Sequence, residues 1–188
     1  MHTLSQSKRG FGTAMVHNNC DYDVWVWSVD QSYDSGPIFL PAHSIYLEPI
    51  RPPCCEGCGT CLKVSKTNKL IDGLHLQFEY AIKSVMYYDI SFVNCAKGTN
   101  AADCPGHEKG LQISSPEPKC GKPTCEPGEY CPTQAYYVDT PLKKLNISEP
   151  VFGCGDAGSA MDLHFTICKN NNKPTNKRSI FDMIAFWG

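Results

Sequence analysis

An all-β fold, a sandwich with a loop-rich lobe held by disulfides, is what this sequence predicts, on three observations. Wherever the hydrophobic pattern is regular its period is two, no window of a dozen residues carries a helical period of 3.6, and 12 of the 188 residues are cysteine. That cysteine density lies below the roughly 8–10% of a pure disulfide scaffold but well above cytosolic usage. With 41% hydrophobic and 19% charged residues the chain has material for one core.

Thr13 to Asn18 is the first predicted strand. Asp23 to Val29 follows, apolar on both phases as a strand covered on both sides would be. Shorter strands are predicted at Ser44 to Leu47 and Leu62 to Ser65. Leu76, Phe78, Tyr80 and Ile82 then alternate with His75, Gln77, Glu79 and Ala81, and Tyr88, Ile90 and Phe92 with Tyr87, Asp89 and Ser91. Met161, Leu163, Phe165 and Ile167 alternate with Asp162, His164 and Thr166 in the last strand. Between 94 and 132 the pattern stops; this stretch is rich in Gly, Pro and Cys and is expected to be a lobe held by cross-links rather than by a core. The organisation is therefore a tail at 1–9, a sandwich over 10–168 with the cystine-rich lobe inserted, and a second tail at 169–188.

The cysteines are Cys20, Cys54, Cys55, Cys58, Cys61, Cys95, Cys104, Cys120, Cys125, Cys131, Cys154 and Cys168, and all are expected to be paired, as in a secreted protein. Only local pairings such as Cys120 with Cys125 or Cys131 can be guessed from spacing. The sequon Asn146-Ile147-Ser148 is an N-glycosylation acceptor and fits the same compartment. Met1 to Ser7 is polar, without the apolar segment of a secretory signal, which leaves a cytosolic chain or a secreted one lacking its leader; the cysteines favour the second. Lys8-Arg9 and Lys177-Arg178 are dibasic pairs of the type cut by kexin-type proteases, so Arg9 and Arg178 are expected processing positions.

A net charge of -2 and the absence of any Lys/Arg run beyond a pair argue against nucleic acid as a partner. No stretch approaches the ~18 apolar residues of a membrane span. P-loop, dinucleotide and G-x-S-x-G patterns are missing, so no cofactor is expected. Cys54, Cys55, Cys58 and Cys61 have overlapping spacings that could bite zinc, but disulfides are the better reading in an oxidising compartment. His17, His43, His75, His107 and His164 show no paired ligand spacing, so no metal site is expected from them.

Several segments resemble the thaumatin-like superfamily. Val16 to Trp27 is similar to its opening Asn-x-Cys-x-Tyr-x-Val-Trp, Leu76-Gln77-Phe78 stands where its Leu-Ala-Glu-Phe strand would, and Tyr87 to Val93 resembles its Tyr-Asp-Val-Ser strand. Cys131-Pro132 with Ala135-Tyr136-Tyr137 and Asp139 resembles its Cys-Pro-x-Ala-Tyr-Ser-Tyr segment. The order of these matches and the Val-Trp-Val-Trp-Ser-Val opening are most similar to fungal, yeast-phase-specific secreted members. The resemblance implies a disulfide-bonded antiparallel sandwich with a cleft, in many members acidic and linked to β-1,3-glucan. Carried over by position, the cleft residues are Gln77 in place of a Glu, Asp89 as a retained Asp, Asn94 in place of a second Asp, and Asp139 as the third. The family's arginine has no placed counterpart; Arg51 is the only arginine between Arg9 and Arg178.

Glycoside hydrolysis needs two carboxyl groups about 5–10 Å apart. Asp89, Glu79 and Asp139 are the candidates, while the amides of Gln77 and Asn94 can bind sugar hydroxyls but cannot do acid–base work. The expectation is a secreted or cell-wall monomer that binds a polysaccharide through Gln77, Asp89, Asn94 and Asp139 without robust catalysis. The alternatives are a weak β-1,3-glucanase, and an effector or inhibitor whose partner is a host or cell-wall protein.

Overall fold

A computed structural model describes residues 10–71 and 73–171. Arg9 and Arg178, both tails' distal parts and the apolar run after Ser179 lie outside the described residues. The strands are β1 (Thr13–Asn18), β2 (Val24–Val29), β3 (Ile38–Leu40), β4 (Ser44–Pro49), β5 (Thr60–Ser65), β6 (His75–Ile82), β7 (Met86–Ser91), β8 (Leu111–Ser114), β9 (Thr124–Cys125), β10 (Phe152–Gly153) and β11 (Leu163–Ile167). The one described α-helix, α1 (Pro141–Leu145), is five residues long.

The first sheet runs β4-β1-β11-β8-β9 and the second β10-β7-β6-β5-β2-β3. Alternation does what the sequence says: Ala14 and Val16 from β1 and Leu163, Phe165 and Ile167 from β11 point inward and meet Leu76, Phe78 and Tyr80 of β6. Phe165 lies against Phe78 and Tyr80 at ring-centroid distances of 5.3 and 6.3 Å, which joins the two sheets through one core. Both sheets are antiparallel except for the pairing of β1 with β11, the first and last strands, which is parallel. Cys20 and Cys168 cross-link the ends of these two strands across 148 residues of chain. In a chain-entropy account, closing so long a loop stabilises the fold by about 5 kcal/mol.

Two expectations change. The stretch 94–132 is not wholly a coreless lobe, because Leu111–Ser114 and Thr124–Cys125 join the first sheet and bury Leu111, Ile113 and Cys125. Two inward aliphatics are a pattern too short to stand out in sequence, yet enough to complete a sheet edge. The remaining loops close tightly on that sheet: Gly106 has φ +81°, and a Cβ there would meet the Ile167 side chain at 2.6 Å. Cys120 does not pair locally; it bridges to Cys154, while Cys125 bonds Cys131. The chain at Cys120 runs beside β10, with Gly121 N–H donating to Gly153 O at 2.9 Å, so its partner comes from there. Cys95 pairs with Cys104 and Cys55 with Cys58.

Full pairing of the cysteines is corrected at Cys54 and Cys61, which carry no disulfide. Cys54 is exposed in the loop before β5, and Cys61 faces Glu79 across the β5–β6 ladder, while Cys58 takes Cys55 within the turn.

Candidate functional site

The polar phases of β5, β6 and β7 form the outward face of the second sheet. Their register sets Cys61 opposite Glu79, Lys63 opposite Gln77, Glu79 opposite Asp89 and Gln77 opposite Ser91. This is the shared face that strand alternation predicts for Gln77, Glu79, Asp89 and Ser91. Two adjoining hollows lie over it. One of about 850 Å3 is bordered by Asp30, Lys63, Tyr87 and Val151, and one of about 290 Å3 by Val93, Tyr136 and Asp139; both have Gln77, Glu79 and Asp89 as their floor.

Gln77, Glu79, Asp89 and Asp139 are thus brought together from three parts of the chain. Asp139 arrives because the segment after Cys131 pairs alongside β7, with Phe92 N–H donating to Tyr136 O at 2.7 Å and Tyr136 N–H to Ile90 O at 2.8 Å. Lys144 of α1 holds the exposed Asp139 carboxylate from the solvent side. Asn94 is not among the lining residues. The chain turns at Phe92, whose carbonyl accepts from both Cys95 and Ala96 N–H, and this turn presents Val93 to the groove. Arg51 is also committed elsewhere: its Nε and Nη1 donate to Asp30 and Glu48 at 2.9 Å each.

The electrostatics of the floor are set by burial. Asp89 is largely enclosed, its Oδ1 has no protein hydrogen-bond partner, and its carboxyl is pushed far above the ordinary range by loss of solvent and then by the neighbouring Glu79 charge. Cys61 stands opposite Glu79 on the same face, and burial followed by the Glu79 charge pushes its thiol up, which lowers its reactivity. Tyr136 at the edge is raised by burial and then by its hydrogen bond to Glu149. Tyr87 stands exposed at the rim, 39% accessible, on the outward phase of β7.

Glu79 and Asp89 sit directly opposite each other on neighbouring strands, a position in which side chains share one face with Cβ atoms about 4.5–5.5 Å apart. A glycosidase pair needs its two carboxyls far enough apart to flank a sugar bond, about 5 Å or more. The arrangement suits hydrogen bonding to hydroxyls, with one carboxyl holding a proton to donate and the other accepting. At the turn before β5, the Sγ atoms of Cys54, Cys55 and Cys58 lie within 4.8 Å of one another, but the Cys55–Cys58 bond leaves one thiol there, short of the thiolate set that zinc takes.

Sequence reading missed the pairing of His17 with His164. Their separation of 147 residues hides it, and only the parallel neighbourhood of β1 and β11 creates it.

Among curated proteins no significant match is found. The solved structure of the protein elicitor MoHrip2 from Magnaporthe oryzae is similar to this fold, with a TM-score of 0.61 and 24% identity over 84% of this chain and 98% of that one. The thaumatin-like xylanase inhibitor TLXI aligns at a TM-score of 0.45 and 9% identity, over 81% of this chain and 97% of that one. The sequence profile of the Blastomyces yeast-phase-specific proteins matches residues 1–169, and the chain belongs to that family.

Proposed function

We propose that this is an extracellular binding protein whose groove takes a cell-wall polysaccharide such as a β-1,3-glucan without robust hydrolysis. The carrying observation is the groove floor, where Gln77, Glu79 and Asp89 converge with Asp139 at the edge and Tyr87 on the rim. Amide, carboxyl and carboxylate groups match sugar hydroxyls, and an exposed aromatic offers a stacking face. The direct cross-strand juxtaposition of Glu79 and Asp89 argues against a pair of carboxyls that flank a sugar bond. Five disulfides fit an oxidising compartment, and Asn146, exposed in a left-handed conformation at the end of α1, is an accessible glycan acceptor.

The test is retention on insoluble β-1,3-glucan under non-reducing conditions, with laminarin as competitor. We expect retention that laminarin displaces, weakened by Gln77→Ala and Tyr87→Ala, with no reducing sugar released. A protein that flows through removes the polysaccharide reading. One observation favours a protein partner as the second reading: Val93 and Val151, exposed apolar residues at 37% and 43%, border the groove.

A further inference from the structure

The outward face of the other sheet carries a second constellation. β1 and β11 lie side by side in parallel, and Met15, His17 and His164 all fall on their half-exposed outward phase. His17 Nε2 and His164 Nδ1 are 2.9 Å apart. The ring centroids are 5.0 Å apart and the planes are inclined by 18°. With nitrogens that close and centroids that far, the rings meet edge to edge through those two atoms rather than face to face. A single proton between them satisfies both. Met15 stands in register with His164, one strand away on the same face.

We propose that His17, His164 and Met15 form a copper-binding site on this face, separate from the groove. A bound ion takes the place of the shared proton, and both nitrogens become ligands. Metal–imidazole bonds are about 2.0–2.1 Å, so an ion in line between the rings needs the nitrogens about 4 Å apart, an opening of roughly 1 Å from 2.9 Å, and a bent coordination needs less. Imidazole suits copper and zinc alike, while a thioether is a soft donor that favours copper in its monovalent state. Ile45 and Thr166 flank His17 in register, and Leu47 flanks Met15, so no cation lies beside the pair in the ladder. The Asp162 carboxylate, which accepts from Thr13 N–H at 2.8 Å, adds negative potential at the open side.

The amino terminus with His2 and the exposed Cys54 thiol also have copper-binding chemistry, so the readout must resolve sites. Substoichiometric cupric sulfate added to the 15N-labelled full chain, with Cys54 blocked by iodoacetamide, broadens amides near the ion. We expect broadening centred on residues 15–17 and 163–165, weakened at least about tenfold in affinity by His17→Asn and by His164→Asn. Dispersed spectra of the variants establish that they fold, and His43→Asn leaves the broadening in place. Under ascorbate, the Met15 methyl resonance shifts as the monovalent ion binds. Broadening confined to residues near the amino terminus, or unchanged in both histidine variants, overturns the site; a Met15 methyl that does not move overturns its part.

Discussion

Two acidic clusters, one where Glu48 of β4 in the first sheet reaches Ser28 of β2 and one at the centre of the second sheet, are built from the same kinds of residue and end in opposite electrostatic states. At the β2 end, Glu48 is buried yet fully engaged: Oε1 accepts from Ser28 and Tyr80, and Oε2 from Tyr46 and Arg51. Asp30 beside it accepts from Ser32 N–H and from Arg51 Nε, and these bonds hold its carboxyl down to about 2. At the centre of the sheet, Glu79 and Asp89 form no ion pair among the described residues, and Asp89 keeps an unsatisfied buried oxygen. The fold is thus able to neutralise buried acids where they join β2, β4 and β6. It leaves that capacity open where the groove is. Uncommitted acceptors on a floor are a cost in the free protein and a resource for a ligand.

The largest effect should come from breaking the compensated cluster. Arg51→Met leaves Glu48 buried without its cation, and unfolding in urea should show a loss of about 3 kcal/mol, at the low end for a buried pair because Arg51 is 24% exposed. A loss below about 1 kcal/mol would show that water already screens this cluster, and the contrast with the groove would fail. Asp89→Asn should act in the opposite direction, raising stability by about 1–2 kcal/mol at neutral pH while weakening ligand retention. Its pH dependence sharpens the point. Burial and then the Glu79 charge hold the folded Asp89 carboxyl well above its unfolded value of 3.8. Between those values the unfolded chain has released a proton that the native state still holds, so wild-type stability falls as pH rises through this window. The Asn variant should lack that slope, and stability curves at pH 5 and 8 measure the difference.

The free thiols extend the comparison to reactivity. Native alkylation should label exposed Cys54 much faster than Cys61, which is half-buried beside Glu79 and whose thiol burial and then the Glu79 charge push up. Reduction of the five bridges should add ten hydrogens to the intact mass. A gain of twelve, with no thiol before reduction, would mean that Cys54 and Cys61 are also bonded.

Much of the second sheet is legible in sequence because alternation over β6 and β7 is long enough to fix both faces, and a hairpin between neighbours sets Glu79 against Asp89. The same reading also carries Gln77 and Asp139 to the groove by resemblance to known segments. What escapes it depends on non-local pairing. Asn94 lies in a turn whose geometry hands its place in the groove to Val93, and Arg51 is captured by Glu48, three residues earlier, together with Asp30 from the loop after β2. His17 and His164 meet only because the first strand lies parallel to the last. Periodicity reports which face a residue takes. It does not report which strand lies next to it.

The smallest stability effect should separate the third groove acid from both clusters. Asp139 is exposed and paired with Lys144 within one surface segment, where water and salt screen an ion pair so that it adds little to stability. Lys144 holds its carboxyl below the usual range, so Asp139 is ionised where Asp89 is protonated. Asp139→Ala should therefore leave the urea midpoint close to that of wild type and the pH slope assigned to Asp89 intact. If the carboxylate is a ligand contact, glucan retention falls all the same. Retention equal to wild type would confine recognition to the Gln77–Glu79–Asp89 floor, with Asp139 an ordinary surface acid.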